Sequence, residues 1–140
     1  MAKKILVIED DPSTSRLVEY TLRHHGYQVI TATNGLEGVK KAHSEVPDLV
    51  ILDVMLPGMD GFEICRRLRA EPSTAPVSIL VFSARAQETD KDTAIKAGAD
   101  DYLTKPASHA EIIARVERLI AKKSSTIPFQ GKVSKKENKK

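Results

Sequence analysis

Three observations on this sequence predict an α/β fold, a doubly wound parallel sheet of five strands with five helices. Short apolar runs alternate with helix-like segments along the chain. Two of the runs, residues 5–8 and 49–52, contain no polar residue, as expected of strands covered on both faces. Both of those runs also lead straight into carboxylates, Glu9 and Asp10 after the first and Asp53 after the second. Pro57-Gly58 follows Asp53 as a turn signal, which leaves Asp53 at the strand's C-terminal mouth, where open α/β sheets bind ligands.

The elements follow in order. Residues 4–8 form the first strand. Asp11-Pro12 supplies an N-cap and a first-turn proline for a helix with Leu17, Val18, Thr21 and Leu22 on its inner face, closed at Gly26. Residues 27–32 are less apolar and read as an edge strand. Asn34 and Glu37 resemble a capping box that opens a helix through Leu36, Val39 and Ala42, with Pro47 closing the unit. The strand ending at Asp53 comes next. Residues 61–70 are helical, with Phe62, Ile64, Cys65 and Leu68 as apolar positions and Asp60 placed to stabilise the preceding turn. Residues 77–82 are the fourth strand, ending at Ser83. Residues 89–97 are helical in composition but have little apolar content beyond Ala94, Ile95 and Ala97, which predicts a weakly anchored helix, suited to shifting. Gly98 ends it; a short strand at 102–104 is closed by Lys105-Pro106. In the last helix, Ile112, Ile113, Val116, Leu119 and Ile120 keep i, i+3, i+4 spacing, and the pattern stops after Lys123. Length and the absence of other elements favour strand order 2-1-3-4-5, the flavodoxin-like arrangement. In that order Asp10 and Asp53 end neighbouring strands, and Ser83 and Lys105 lie to one side.

Composition narrows the class. The 140 residues, 41% hydrophobic, suit one domain with a sizeable core. The net charge of +3 hides an asymmetry. Residues 121–140 hold seven Lys and one Glu, a net +6, which leaves −3 for residues 1–120. The tail from 124 to 140 lacks apolar periodicity and reads as a basic, disordered end. A single cysteine, Cys65, excludes an internal disulfide and reads as a core residue. With no signal-peptide core and no membrane span, the expected location is cytoplasmic.

Three carboxylates at adjacent strand ends need compensation, since two unit charges about 4 Å apart repel by about 4 kcal/mol at an effective dielectric near 20. A hard divalent cation such as Mg²⁺ supplies it, using carboxylates and a backbone carbonyl, for which Met55 is placed. Lys105 adds a fixed positive charge and Ser83 a hydroxyl. An anionic phosphoryl group fits such a site, with Asp53 as nucleophile. His24, His25, His43 and His109 fall on helices or at their starts, so none is placed to activate water.

Four stretches, residues 5–12, 48–61, 81–85 and 98–106, resemble the receiver domain of two-component response regulators, in order and at family spacing, over about residues 3–122. The receiver would then span residues 1–123. The resemblance implies phosphoryl transfer to Asp53 from a sensor histidine kinase or phosphotransfer protein. It also implies Mg²⁺ on Asp10, Asp53 and the Met55 carbonyl, with Glu9 acting through water. Ser83 corresponds to the switch hydroxyl, Tyr102 to the switch aromatic, which would turn inward on phosphorylation, and Lys105 to the phosphate-binding lysine. A cis bond is expected at Lys105-Pro106. The surface of the fourth helix, fifth strand and fifth helix would change for a downstream protein partner. Met55 and Arg85 stand where family members tune the lifetime of the phosphorylated state. Lys91 with Glu111, and Asp101 with Arg115, match pairs that join receivers into homodimers in the winged-helix transcription-factor subfamily; ordinary surface charges are the alternative. Ala107 departs from that subfamily's usual Phe, and no DNA-binding domain follows, so direct DNA binding is not expected.

Two other functions compete. An aspartyl-phosphate hydrolase also uses a strand-end Asp, but needs a second Asp two residues on, where this chain has Met55. A phosphate-independent adaptor would not need Glu9, Asp10, Asp53, Ser83 and Lys105 together. The expected protein is therefore a phosphoacceptor signalling module and not an enzyme acting on other molecules.

Overall fold

Alternate residues of a strand point to opposite faces, so an unbroken apolar run must be covered twice. The structure, a computed structural model describing residues 2–125, does this with five parallel strands in the order β2-β1-β3-β4-β5. The elements are β1 (Lys4–Ile8), α1 (Pro12–His24), β2 (Gln28–Ala32), α2 (Gly35–Glu45), β3 (Leu49–Leu52), α3 (Gly61–Ala70), β4 (Ser78–Ser83), α4 (Glu88–Ala97), β5 (Asp101–Thr104) and α5 (His109–Ser125). This is the expected order. The basic tail expected over 124–140 lies outside the described residues, apart from the last two residues of α5.

Leu6, Ile8, Val50, Leu52, Ile79 and Val81 belong to one core, with Ile64 and Leu68 of α3 and Ala94 of α4. Ile5, Val7, Leu49, Ile51, Leu80 and Phe82 belong to the other, with Val18 and Leu22 of α1 and Ile112 and Val116 of α5. The strand order reverses between β1 and β3, and the crevice it leaves lies beyond Ile8 and Leu52.

Caps set the helix starts. Asp11 Oδ2 accepts from the Thr14 N–H at 3.1 Å, and Asp60 Oδ1 from the Phe62 N–H at 3.0 Å. Asn34 Oδ1 accepts from the Glu37 N–H at 2.8 Å, as expected. The Glu37 carboxylate, however, takes the N–H of Thr33 at 2.8 Å, not that of Asn34, so the reciprocal half of the box is shifted by one residue. Leu17, expected on the inner face of α1, is exposed. It borders a groove whose wall includes Ala84 and Ala107, side chains too small to cover it.

Charged side chains occupy outward backbone groups on both sheet edges. Arg23 Nη2 donates to Val29 O at 2.8 Å and Lys41 Nζ to Thr31 O at 2.6 Å along β2. On β5, Tyr102 gives its N–H to Asp101 Oδ1 at 2.8 Å and accepts from Arg115 Nη1 at 3.1 Å. Outward backbone groups occupied in this way offer no template to another strand.

Val46 ends α2 in the left-handed region, φ 48° and ψ 63°, where its N–H donates to Ala42 O at 3.2 Å. A β-branched residue is strained there, and Val46 is 63% exposed, so little burial offsets the strain. Val46→Gly is expected to stabilise the fold by about 1 kcal/mol, read as a higher urea midpoint at unchanged slope.

Candidate functional site

Parallel pairing decides which side chains meet in the crevice. The Asp53 N–H donates to Ile8 O at 3.1 Å and the Glu9 N–H to Ala32 O at 2.9 Å, so the ladders continue one residue past the strands. On the other side, the Lys105 N–H donates to Ser83 O at 2.9 Å. The side chains then converge. Lys105 Nζ donates to Glu9 Oε1 at 2.7 Å and to Asp53 Oδ2 at 2.9 Å. The Met55 N–H holds Asp53 Oδ1 at 2.8 Å, and the Asp11 N–H holds Glu9 Oε2 at 3.1 Å. Glu9 is 4% exposed and Asp53 6%, whereas Asp10 is open to solvent. One carboxylate oxygen from each of the three lies within 4.8 Å of the others.

Burial raises the Glu9 carboxyl above its ordinary value, against the bonds from Lys105 and the Asp11 N–H that lower it. For Lys105 burial pulls the other way, but the bonds to Glu9 and Asp53 prevail and hold the ammonium above its usual value. Because the folded value of Glu9 lies above 4.5, the folded state keeps a proton that the unfolded chain has lost. Its contribution is most favourable below pH 4.5 and is lost as pH rises through the raised value. The stability difference between wild type and Glu9→Gln should therefore fall across this window, measured by urea unfolding from about pH 4 to about pH 7. A difference that stays flat would assign the titration to another group.

Ser83 is fully buried, and its Oγ accepts from the Arg85 N–H at 3.3 Å. Tyr102, expected to turn inward on phosphorylation, is buried here, its hydroxyl donating to Arg85 O at 2.6 Å. Lys105-Pro106 is cis, as the resemblance implied. Three of the four charged residues read as dimer contacts have partners within the chain. Asp101 pairs with Arg115 at 3.1 Å and also with Arg118, and Glu111 Oε1 accepts from the Ser108 N–H at 2.9 Å as part of the α5 cap. Lys91 lies on α4, half-buried. His109 Nδ1 meets Thr21 Oγ1 at 2.7 Å, and His43 Nδ1 meets Ser73 Oγ at 3.0 Å, so both are engaged elsewhere.

Two arginine contacts were not foreseen. Arg69 donates to Gly98 O at 2.9 Å, Ala75 O at 2.7 Å and Asp100 Oδ2 at 2.8 Å, joining the ends of α3 and α4. Arg85 bonds Asp90 in the first turn of α4. For Asp90 the signal was present: three residues after Gln87, it is placed as a cap.

The donor set fits a divalent cation. Three carboxylates meet one ammonium, which leaves two negative charges on hard oxygen ligands of the kind Mg²⁺ takes. Acidic side chains and a lysine gathered where a 2-1-3-4-5 parallel sheet reverses define a receiver of the two-component signalling type. Residues 5–117 match the response regulator receiver domain, and the chain belongs to that family. It is 46% identical over 128 residues to the alkaline phosphatase synthesis transcriptional regulatory protein PhoP of Bacillus subtilis, covering 91% of this chain and 52% of that protein. Among solved structures, it resembles the receiver domain of sensor histidine kinase PA1611 from Pseudomonas aeruginosa, which has a magnesium ion coordinated in its active-site cleft. The TM-score is 0.80 at 32% identity, covering 86% of this chain and 99% of that one. A second likeness is chemotaxis protein CheY4 of Vibrio cholerae, with TM-score 0.82 at 29% identity, covering 85% and 99%. The chain spans about half the length of the curated relatives it matches. Those relatives are named as transcriptional regulators, so they lend no support to the expected absence of DNA contact. Among the described residues, no helix is long and apolar enough to cross a membrane.

Proposed function

We propose that Asp53 is the phosphoacceptor and that its phosphorylation by a sensor histidine kinase or phosphotransfer protein is this domain's input. The observation that carries the reading is Lys105 Nζ, placed within hydrogen-bond distance of both Glu9 and Asp53 at a sheet edge. A carboxylate nucleophile can form an aspartyl phosphate, and the protein's work is then positioning and charge neutralisation. The Met55 N–H orients the carboxylate by holding Oδ1. Lys105 is placed to move its bond from the carboxylate to a phosphoryl oxygen, and Ser83 to give a second bond. Asp10, Asp53 and the Met55 carbonyl would hold Mg²⁺, with Glu9 through water, and the ion would neutralise charge on the transferring group. Among the described residues His109 and His43 are bonded to Thr21 and Ser73 and are not joined to Asp53, which favours a persistent phosphoryl group over an enzyme that turns over phosphate esters.

The output is a changed α4, β5 and α5 surface offered to a downstream protein partner. A homodimer through Lys91, Asp101, Glu111 and Arg115 would have to exchange the intrachain bonds of Asp101, Glu111 and Arg115 for interchain ones. The test is acetyl phosphate with Mg²⁺ followed by intact mass. Wild type should gain one phosphoryl group and Asp53→Asn none. An equal gain in both proteins rules out Asp53. No adduct on rapid sampling, and no binding of beryllofluoride, would favour an adaptor.

A further inference from the structure

α4 is attached unlike the other helices. Besides Ala94 and Ala97, the residue it buries is a carboxylate, Asp90, 7% exposed in its first turn. Asp90 Oδ1 accepts from Arg85 Nη2 at 2.7 Å and Nε at 3.1 Å, while Oδ2 accepts from the Gln87 N–H at 3.2 Å. The same guanidinium lies over the Phe62 ring, 5.5 Å from its centre, at the start of α3. The backbone of Arg85 meanwhile holds both switch side chains, its N–H on Ser83 Oγ and its carbonyl under the Tyr102 hydroxyl. The far end of α4 is pinned separately, by Arg69 on Gly98 O.

We propose that Arg85 is the positioning residue through which α4 follows Ser83 and Tyr102, a role that rests on Asp53 being the phosphoacceptor. A bond that Ser83 makes to a phosphoryl oxygen displaces the backbone of residue 85, and Tyr102 moves with its carbonyl. The guanidinium carries that displacement to Asp90. Because Arg69 fixes the C-terminal end, the first turn of α4 moves most and the helix pivots. The Arg85 side chain is half-exposed, and an open ion pair is a weak tie. Asp90 is not open, however, and a buried carboxylate stripped of its partner is costly, so the two remain together as the loop moves.

Hydrogen exchange on the full chain tests this, with and without beryllofluoride and Mg²⁺. Arg85→Met keeps an apolar stem and both backbone bonds but lacks the guanidinium; Asp90→Asn removes the charge and leaves an oxygen for the Gln87 N–H. Without ligand, amides 88–97 should exchange about tenfold faster in both variants than in wild type, while α1 and α5 stay unchanged. With beryllofluoride, wild type should respond at 53–57 and at 88–97, and the variants at 53–57 alone. Arg85→Lys should restore part of the α4 response. Equal ligand-free exchange in all proteins, or an α4 response in the variants matching wild type, overturns the proposal. A wild type silent at 53–57 counts instead against Asp53 as the acceptor, and the ligand-free comparison then still decides the clasp.

Discussion

Gly61→Ala is expected to melt well below wild type and to take up a phosphoryl group much more slowly. α3 begins at Gly61, whose N–H donates to Val54 O at 3.3 Å, so helix and strand tip touch through backbone. A Cβ at 61 would lie 2.3 Å from Val54 Cα and 3.0 Å from Asp53 O. Neither atom belongs to a side chain that can change rotamer. The backbone at and just after Asp53 must move, at a cost of about 3 kcal/mol for forced overpacking. Gly58→Ala makes the contrasting case. At φ +87° it is conformationally strained, but its Cβ would meet nothing within 4 Å. It should lose about 1 kcal/mol and keep its phosphoryl uptake. Thermal melts and intact mass after acetyl phosphate treatment read both effects. If Gly61→Ala takes up phosphate at the wild-type rate, the close approach does not seat Asp53.

The strands were legible because the physics that buries them is local. Residues 5–8 and 49–52 admit no wet face, and each ends where a carboxylate begins, so the crevice and its acidic groups follow from the order of the sheet. Lys105 could be assigned for the same reason, as it stands one residue past β5. Helix faces were less legible. The covered arc of α1 takes Val18, Thr21 and Leu22 and leaves Leu17 beside small neighbours contributed by two distant loops. Long-range polar ties outside the crevice were not legible. Asp101 and Arg115 are 14 residues apart and join because α5 returns along the β5 edge, where they close the outward groups of Tyr102. No local pattern distinguishes that pairing from one between two chains. Arg69 is similar: its acceptors at Ala75, Gly98 and Asp100 converge only once β4 and β5 are side by side.

Lys105→Met should show three effects, two of them losses and one a gain. Glu9 and Asp53 are buried, and Lys105 Nζ is their shared cationic partner at 2.7 and 2.9 Å. Removing it leaves two carboxylates facing each other in a poorly solvated cleft, which should cost about 2 kcal/mol near neutral pH, less than a sealed pair because the cleft opens to water. The loss should shrink as pH falls and Glu9, already raised by burial, takes up a proton. Phosphoryl uptake should slow about a hundredfold, since the transferring oxygens lose a preorganised positive charge. Affinity for Mg²⁺ should nevertheless rise about tenfold, because the ammonium and the cation compete for the same oxygens and one of them has gone. Urea unfolding, uptake followed by intact mass, and calorimetric titration with Mg²⁺ measure the three quantities. Tighter Mg²⁺ binding joined to slower uptake is a pattern that simple misfolding does not produce. Weaker Mg²⁺ binding would mean that Lys105 orders the carboxylates for the ion and does not compete with it.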